Sequence, residues 1–154
     1  MTARFNALVR NAQDGSQGVF TPPNGLPMGL VGAIGMANLV NLLTTGAKTK
    51  LGAAPCDGVV VTGLVAQLQS VSGASVAPEI RLYVADASGN EVAAIIPATA
   101  LTGVLSSSEG WGSFLAGAAT YTMTEGQTLW IEVVTGATAT TMLAGIDALG
   151  YYRQ

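Results

Sequence analysis

Acidic side chains are the groups in this 154-residue chain with the most obvious capacity for chemistry. There are nine, at Asp14, Asp57, Glu79, Asp86, Glu91, Glu109, Glu125, Glu132 and Asp147. Two carboxylates that face each other across a cleft can hydrolyse a glycosidic bond. Nearly all of these acids fall in turns or at the ends of predicted strands, which is the ordinary solvated placement. Their positions therefore do not predict a hydrolase.

Histidine and cysteine contribute almost nothing to the reactive chemistry of the chain. The absence of histidine removes the usual general base and the commonest metal ligand. The one cysteine, Cys56, excludes an intramolecular disulfide and a zinc site made of cysteines alone. Because Cys56 lies in a turn-rich stretch just before a predicted strand, we expect it to be a small buried apolar side chain. We predict no enzymatic activity, no catalytic residues and no cofactor.

Three other kinds of binding site can be weighed against the sequence. Residues 86–91, Asp-Ala-Ser-Gly-Asn-Glu, carry oxygen ligands, but an EF-hand type calcium loop needs more carboxylates at alternate positions, so a turn is the better interpretation. No glycine-rich loop joins a strand to a helix as a phosphate cradle requires. The larger aromatics could line a sugar-binding face, but packing or interface contacts are the favoured interpretation. They are Tyr83, Trp111, Tyr121, Trp130, Tyr151 and Tyr152.

The composition of the chain limits the kinds of molecule that it can bind. Only 10% of the residues are charged, against roughly 25% in typical soluble domains, so much of the surface is made of small and hydroxyl side chains. Such a chain is expected to bury part of its exterior against other subunits; the alternative is a neutral β protein coated with threonine and serine. The net charge is −3. Of the basic residues only Lys48 and Lys50 lie close together, which is too little for a nucleic-acid surface.

The most regular pattern occupies residues 78–97, PEIRLYVADASGNEVAAIIP. Alternation of Ile80, Leu82 and Val84 with polar or small residues predicts a strand with one buried face. A turn at 86–90 and a second apolar run at 92–96 complete a β-hairpin. Proline cannot donate to a sheet ladder, so Pro78 and Pro97 are expected to mark the limits of pairing.

Further strands are expected on both sides of this hairpin. Residues 59–69 predict a long strand, in which Gly63 indicates a bulge or a bend where the strand passes from one sheet to another. Segments 111–116 and 119–123 precede a Glu-Gly turn at 124–127, which with 128–134 has the signature of a second hairpin. Residues 140–152 form a last strand, and 37–45 a first strand or a short helix. The fold class is all-β: an antiparallel sandwich of seven or eight strands, immunoglobulin-like or jelly-roll.

The N-terminal region has no clear periodicity and many turn residues. We predict an extended arm at 1–35 and a sandwich domain at 36–154, the arm being either ordered against a neighbour or a loose terminus. No signal peptide is evident. The uncharged stretch 26–43 is long enough to span a membrane, but its glycines, asparagines and proline favour burial in protein, and we expect no membrane contact.

From about Val59 to Gln154 the chain resembles head decoration, or cement, proteins of tailed bacteriophages, which have a jelly-roll-like sandwich. The resemblance is carried by EIRLYVADASGNEV, GQTLWIEV and the closing GYYR, in this order, within a low-charge texture rich in Ala, Gly and Thr. It implies a homotrimer that binds major capsid protein on the outside of the phage head after assembly in the host cytoplasm. The arm would then be a clamp with anchors at Phe5, Leu8, Val9 and Phe20. The length of this arm leaves a tail or neck component open, including a carbohydrate- or receptor-binding sandwich.

Overall fold

The structure is a computed structural model that describes residues 9–10, 17–18, 32–106, 108 and 110–153. Within them the chain forms ten strands and one 3₁₀ helix at Thr102–Ser106. The strands are β1 Val9–Arg10, β2 Gln17–Gly18, β3 Gly32–Asn41, β4 Lys48–Ala53, β5 Val59–Ser72, β6 Glu79–Ala85, β7 Glu91–Ala100, β8 Gly112–Met123, β9 Thr128–Thr135 and β10 Thr141–Tyr152. Among these residues no helix is long and apolar enough to cross a membrane.

Eight of the strands form two four-stranded antiparallel sheets that pack face to face. The first sheet has the order β3-β10-β5-β8 and the second has the order β4-β9-β6-β7. Strands pair from the outside of the sequence inward: β3 with β10, β4 with β9, β5 with β8 and β6 with β7. A long antiparallel ribbon rolled up on itself gives this order, which is the jelly roll. The predicted antiparallel sandwich is confirmed, and of its two expected forms the jelly roll is observed.

The hairpin of β6 and β7 is the closed end of this ribbon, and its prediction is confirmed. Ile80, Leu82 and Val84 are fully buried. Gly89 takes a left-handed φ of 89° in the turn, which glycine adopts without steric cost. Pro97 does not end the pairing, however, because β7 continues to Ala100. It lies in a bulge opposite β6 on an edge strand, where a missing N–H removes no ladder hydrogen bond.

Two other expectations about strand connections need correction. Strand β5 does have an irregular register beside Gly63, but it stays in the first sheet over its whole length. The turn at 124–127 forms, closed by the Gln127 amide donating to the Thr124 carbonyl, but it does not make a hairpin. Its flanking strands, β8 and β9, lie in different sheets. In a jelly roll every connection except the central hairpin crosses between the sheets. The residue types of a turn therefore do not show which strand pairs with the strand that follows it.

The core lies between the two sheets and follows the period-two pattern of the strands. The inward residues of β10 are Met142, Ala144, Ile146, Ala148 and Gly150. Leu129, Ile131 and Val133 of β9 face them from the second sheet. Each large aliphatic side chain buried in this way contributes roughly 1.5–3 kcal/mol relative to exposure. Segments 111–116 and 119–123, expected as separate strands, form the single strand β8.

Strand β3 begins before the predicted domain start at residue 36 and pairs with β10 already at Gly32. The alternative of a helix at 37–45 is wrong, since β3 extends to Asn41. Most of the predicted arm, including its anchors Phe5, Leu8 and Phe20, lies outside the described residues. Val9 belongs to the short strand β1, which pairs with β2. The arm and its division from the sandwich remain predictions.

Candidate functional site

The two sheets present very different outer surfaces. On the first sheet, one row of outward residues crosses all four strands, from Met36 through Asp147 and Val65 to Phe114. Met36 and Phe114, on the two edge strands, are 58% and 59% exposed. We call this surface the apolar face and define it by its large side chains, Met36, Leu39, Val65, Phe114, Leu143 and Leu149.

Charge is almost absent from the apolar face. Asp147 is the one Asp, Glu, Lys or Arg among the four strands of the first sheet. Its carboxylate lies in the central strand β10, is half-buried and forms no salt bridge with another described residue. An uncharged surface with large exposed apolar groups is typical of a protein contact rather than of a solvated exterior.

Leu39 is held in an unusual conformation at the edge of this face. It is 62% exposed and has a φ of 55°, which is in the left-handed region. Residues 38 and 39 form a bulge of β3 opposite Gly145 of β10. A leucine in this conformation costs roughly 1–2 kcal/mol, because its Cβ crowds the following carbonyl oxygen. The conformation therefore needs support from neighbouring groups.

The support comes from Gln69 on β5, whose side chain reaches across β10 to β3. Its Oε1 accepts a hydrogen bond of 2.7 Å from the Leu39 amide, and its Nε2 donates to Asn38 Oδ1 at 3.2 Å. The crossing depends on Gly145, because a Cβ there would lie 3.0 Å from Gln69 Nε2. We call these four residues, Asn38, Leu39, Gln69 and Gly145, the glutamine clamp. It fixes a large apolar side chain in an outward position.

A second glycine, Gly63 on β5, allows the close packing of β5 and β8 at the edge of the apolar face that carries Phe114. A Cβ on Gly63 would collide with the Leu115 carbonyl oxygen and would lie 3.3 Å from the Phe114 ring. The bulge of β8 at 117–120, which has no partner on β5, begins just beyond this point. Phe114 thus rests over bare backbone, and the close approach of β5 and β8 depends on Gly63.

The outer side of the second sheet, which we call the charged face, carries six charged residues. They are Lys48, Lys50, Glu79, Arg81, Glu91 and Glu132. Arg81 forms salt bridges with Glu132 at 2.7 Å and with Glu91 at 2.9 Å. The hydrogen bond to Glu132 is the main cause of a raised Arg81 pKa. The central charges of this face are therefore satisfied by one another.

The aromatic residues in the described part of the chain do not gather into one exposed platform. Tyr83 is 4% exposed and is covered by the Arg81 guanidinium, which lies 4.7 Å from the ring centre. Trp130 lies opposite Tyr83 on the next strand, half-buried, and its Nε1 donates to Thr128 Oγ1. Trp111 and Tyr121 pack against the core elsewhere, and Tyr151 and Tyr152 end β10. This distribution agrees with the packing interpretation rather than with a sugar-binding face.

The remaining candidates from the sequence, the 86–91 loop and Cys56, both lie in surface turns. Asp86 accepts hydrogen bonds from the Ser88 and Asn90 amides and from the Asn90 side chain, as expected of a turn. The Asn90 side-chain hydrogen bond contributes most to lowering the Asp86 pKa. Cys56 is exposed, so its predicted burial is wrong: the turn that contains it lies at the surface between β4 and β5. No three metal-ligating side chains cluster in the described part of the chain.

Sequence reasoning identified neither the apolar face nor the glutamine clamp. The uncharged run Val59–Val61, at the start of the strand predicted over 59–69, is buried and adds no exposed apolar surface. The residues of the apolar face come from four strands separated in the sequence by up to 113 positions, from Met36 to Leu149. The only sequence signal for it is negative: β3, β5, β8 and β10 together contain one charged residue.

Comparison with known proteins gives little beyond this geometry. No protein-family model and no curated protein matches the chain. Among solved structures, a chain of the cyanophage Pam1 capsid asymmetric unit is similar, with 20% identity, a TM-score of 0.46, and coverage of 77% of this chain and 81% of that chain. A likeness at this level carries no argument, so function must be argued from the surfaces of this chain.

Proposed function

We propose that this chain is a structural, non-enzymatic protein of a bacteriophage virion. It binds the outside of the capsid and stabilises the shell by cementing neighbouring major capsid subunits. The observation that carries the proposal is the apolar face, since soluble monomers rarely expose contiguous apolar patches beyond roughly a few hundred Å². Such a surface on a rigid jelly roll is suited to permanent protein contacts. The phage head follows from the resemblance in residues 59–154.

The charged face supports a role without catalysis. Catalytic sites need groups held ready for a substrate, often with a pKa moved toward neutrality. Here Arg81 binds both Glu91 and Glu132, and the shift at Arg81 moves its pKa further from neutrality. Asp86, which has a lowered pKa, is engaged by its own turn. These charges stabilise the fold and leave contact surfaces as the functional feature.

The details of assembly belong to the proposal. The partner is major capsid protein, the chain associates with itself, and the resemblance implies three copies. The N-terminal arm would clamp the shell through Phe5, Leu8, Val9 and Phe20. Jelly rolls also occur in lectins, which keeps a glycan-binding tail or neck protein as the alternative. The scattered, mostly packed aromatics favour the capsid role over that alternative.

Deletion of residues 1–25 tests the arm and the proposed function together. The sandwich should stay folded, because its first strand begins at Gly32. Occupancy on undecorated phage heads should fall at least a hundredfold, since each large anchor lost forfeits roughly 1.5–3 kcal/mol of apolar burial. Electron microscopy of heads mixed with either protein measures occupancy, and circular dichroism verifies the β structure.

Two results would contradict different parts of this proposal. Full-length protein that leaves the heads undecorated would contradict the capsid role itself. Equal occupancy by the full-length and shortened proteins would contradict only the clamping arm, and would indicate that the sandwich alone makes the contact. A shortened protein that fails to fold would show that the domain begins before Gly25.

A further inference from the structure

We infer that the apolar face is covered by a second copy of this chain, and that Leu39, positioned by the glutamine clamp, is a principal contact of this interface. The inference extends the proposed function, on which it rests only in taking the chain to be an assembly protein. Four observations carry it: the area of the face, its charge, its rigid edge and an exposed cation, Arg153, that has no salt bridge among the described residues.

The area of the face matches what a stable protein contact needs. Strands β8 and β10 each have 12 residues, and the sheet has four strands. At about 3.3 Å per residue and about 4.8 Å per strand, the whole outer side of this sheet, its uncharged polar residues included, measures roughly 750 Å². Stable interfaces bury about 800 Å² on each partner. A partner of the same size as this sandwich could cover the whole face.

The composition of the face is that of a permanent contact between like subunits. Its large side chains are Met, Leu, Val or Phe, its exposed polar residues Asn38, Gln67 and Gln69 are uncharged, and Asp147 is the only charge in the sheet. Interfaces between identical subunits are more apolar than those of exchanging partners, and most soluble oligomers are assembled from identical chains. These properties favour a second copy over a transient partner.

Asp147 gives a reason for a partner with an available cation. Its half-buried carboxylate has no salt bridge to another described residue, and contact with an apolar surface would leave it without compensation. An exposed cation, Arg153, directly follows β10 of the same sheet and also forms no salt bridge within the described residues. A second copy therefore brings the charge that Asp147 requires.

The glutamine clamp has no evident purpose within a single copy. Asn38, Leu39 and Gln69 are all exposed, so their hydrogen bonds close no part of the core. Strained conformations persist only where surrounding groups enforce them, and they are concentrated at functional positions. An apolar side chain already fixed outward loses little conformational entropy on binding. The clamp thus prepares Leu39 for contact.

Sedimentation equilibrium of the isolated full-length protein at micromolar concentrations tests the inference. Wild-type protein should associate, and Leu39→Asn or Phe114→Thr should each weaken the association constant by roughly ten- to a hundredfold, given the apolar burial lost. Asparagine tolerates a positive φ and threonine suits a strand, so both variants should fold. Val92→Thr is the matched control, because Val92 is 46% exposed but lies in the second sheet. It should leave association unchanged.

Gln69 requires its own test, because it acts through Leu39. Gln69→Ala should weaken association about tenfold without removing any apolar contact group, since the released bulge must be ordered again on binding. Gln67→Ala is the control, because Gln67 is exposed on the same strand but has no side-chain hydrogen bond within the described residues. In a Leu39→Asn background, Gln69→Ala should have no further effect on association. A merely structural role for Gln69 would give the same loss in both backgrounds.

The outcomes separate this inference from its rivals. Wild-type monomers, or association unaffected by Leu39→Asn and Phe114→Thr, would overturn it. Monomers whose occupancy on phage heads falls with Leu39→Asn would instead assign the face to major capsid protein. Association abolished only by deletion of residues 1–25 would assign the contact to the arm. Protein that associates as predicted but leaves heads undecorated would remove the proposed function and keep this inference.

Discussion

The outer surfaces of the two sheets have the same backbone arrangement, but their polar groups have different roles. Each surface crosses four antiparallel strands and carries the residues that alternate with the core. On the charged face, Arg81 joins two glutamates and covers the ring of Tyr83. On the apolar face, the hydrogen bonds of Gln69 hold a leucine outward. The polar groups of one face complete the monomer, and those of the other prepare it for contact.

This difference shows that an alternating pattern defines only the inner side of a strand. The odd-numbered residues of β10 and the even-numbered residues of β9 are equally half-buried, although Leu143 and Leu149 stand on one and Trp130 and Glu132 on the other. On the charged face, half-burial arises because neighbouring side chains cover one another, as the Arg81 guanidinium covers the Tyr83 ring. On the apolar face it leaves a surface that still gains free energy when covered. Substitutions in the two faces should therefore affect different measurable quantities.

The largest effect on stability is expected beneath the apolar face, at Gly63. Gly63→Ala places a methyl group against the Leu115 carbonyl, which as backbone cannot move without separating β5 from β8. We expect a loss of about 3 kcal/mol in the free energy of unfolding, measured by urea denaturation. Gly112→Ala on β8 is the control, because its nearest contact would be the Ala66 carbonyl oxygen at 3.7 Å. Equal behaviour of the two variants would show that the strands are not held this closely.

A smaller loss is expected when the charged face is broken at its centre. Arg81→Met leaves Glu132, whose side chain is only 17% exposed, without its cation. We expect a loss of about 2 kcal/mol in the free energy of unfolding and no change in association. Lys50→Met on the same face should change the free energy of unfolding by less than about 0.5 kcal/mol. A change in association with Arg81→Met would mean that the charged face also takes part in subunit contact.

The smallest effect is expected at the tip of the central hairpin, and it depends on pH. The turn favours the Asp86 carboxylate and lowers its pKa. Its contribution to stability is therefore complete above the ordinary aspartate pKa of about 3.9 and is lost as pH falls through the lowered value in the folded protein. Asp86→Ala should slightly lower the melting temperature at pH 7, and the difference from wild type should disappear in strong acid. A difference from wild type that persists unchanged in strong acid would show that the carboxylate does not support the turn.

Much of the architecture could be predicted because its signals are local. A strand is predicted by the spacing of Ile80, Leu82 and Val84 alone. A turn is predicted by the residue types at 86–90 alone, and neither prediction depends on the rest of the chain. The inward residues of β10 follow from the same period of two. The predicted class, an antiparallel sandwich, required only that several such strands be joined by short turns.

Pairing between distant strands could not be predicted in this way. Residues 124–127 form the expected turn, but the partners of β8 and β9 are chosen by the rolled-up ribbon, in which β5 lies beside β8 and β4 beside β9. Pro97 ends no strand, because an edge position and a bulge make its missing N–H harmless. Cys56 was expected in the core, yet its turn lies outside both sheets.

By itself the sequence determined which residues face the core, since hydrophobic alternation acts within each strand and needs no particular neighbour. Tertiary structure decided which outward residues share a surface. Three long-range pairings bring β3, β10, β5 and β8 side by side. Only these pairings place in one row the residues Met36, Asp147, Val65 and Phe114. Leu39 takes its outward conformation only because Gln69, 30 residues away, reaches it across Gly145. The contacts that define the candidate site are non-local, and a linear pattern does not contain them.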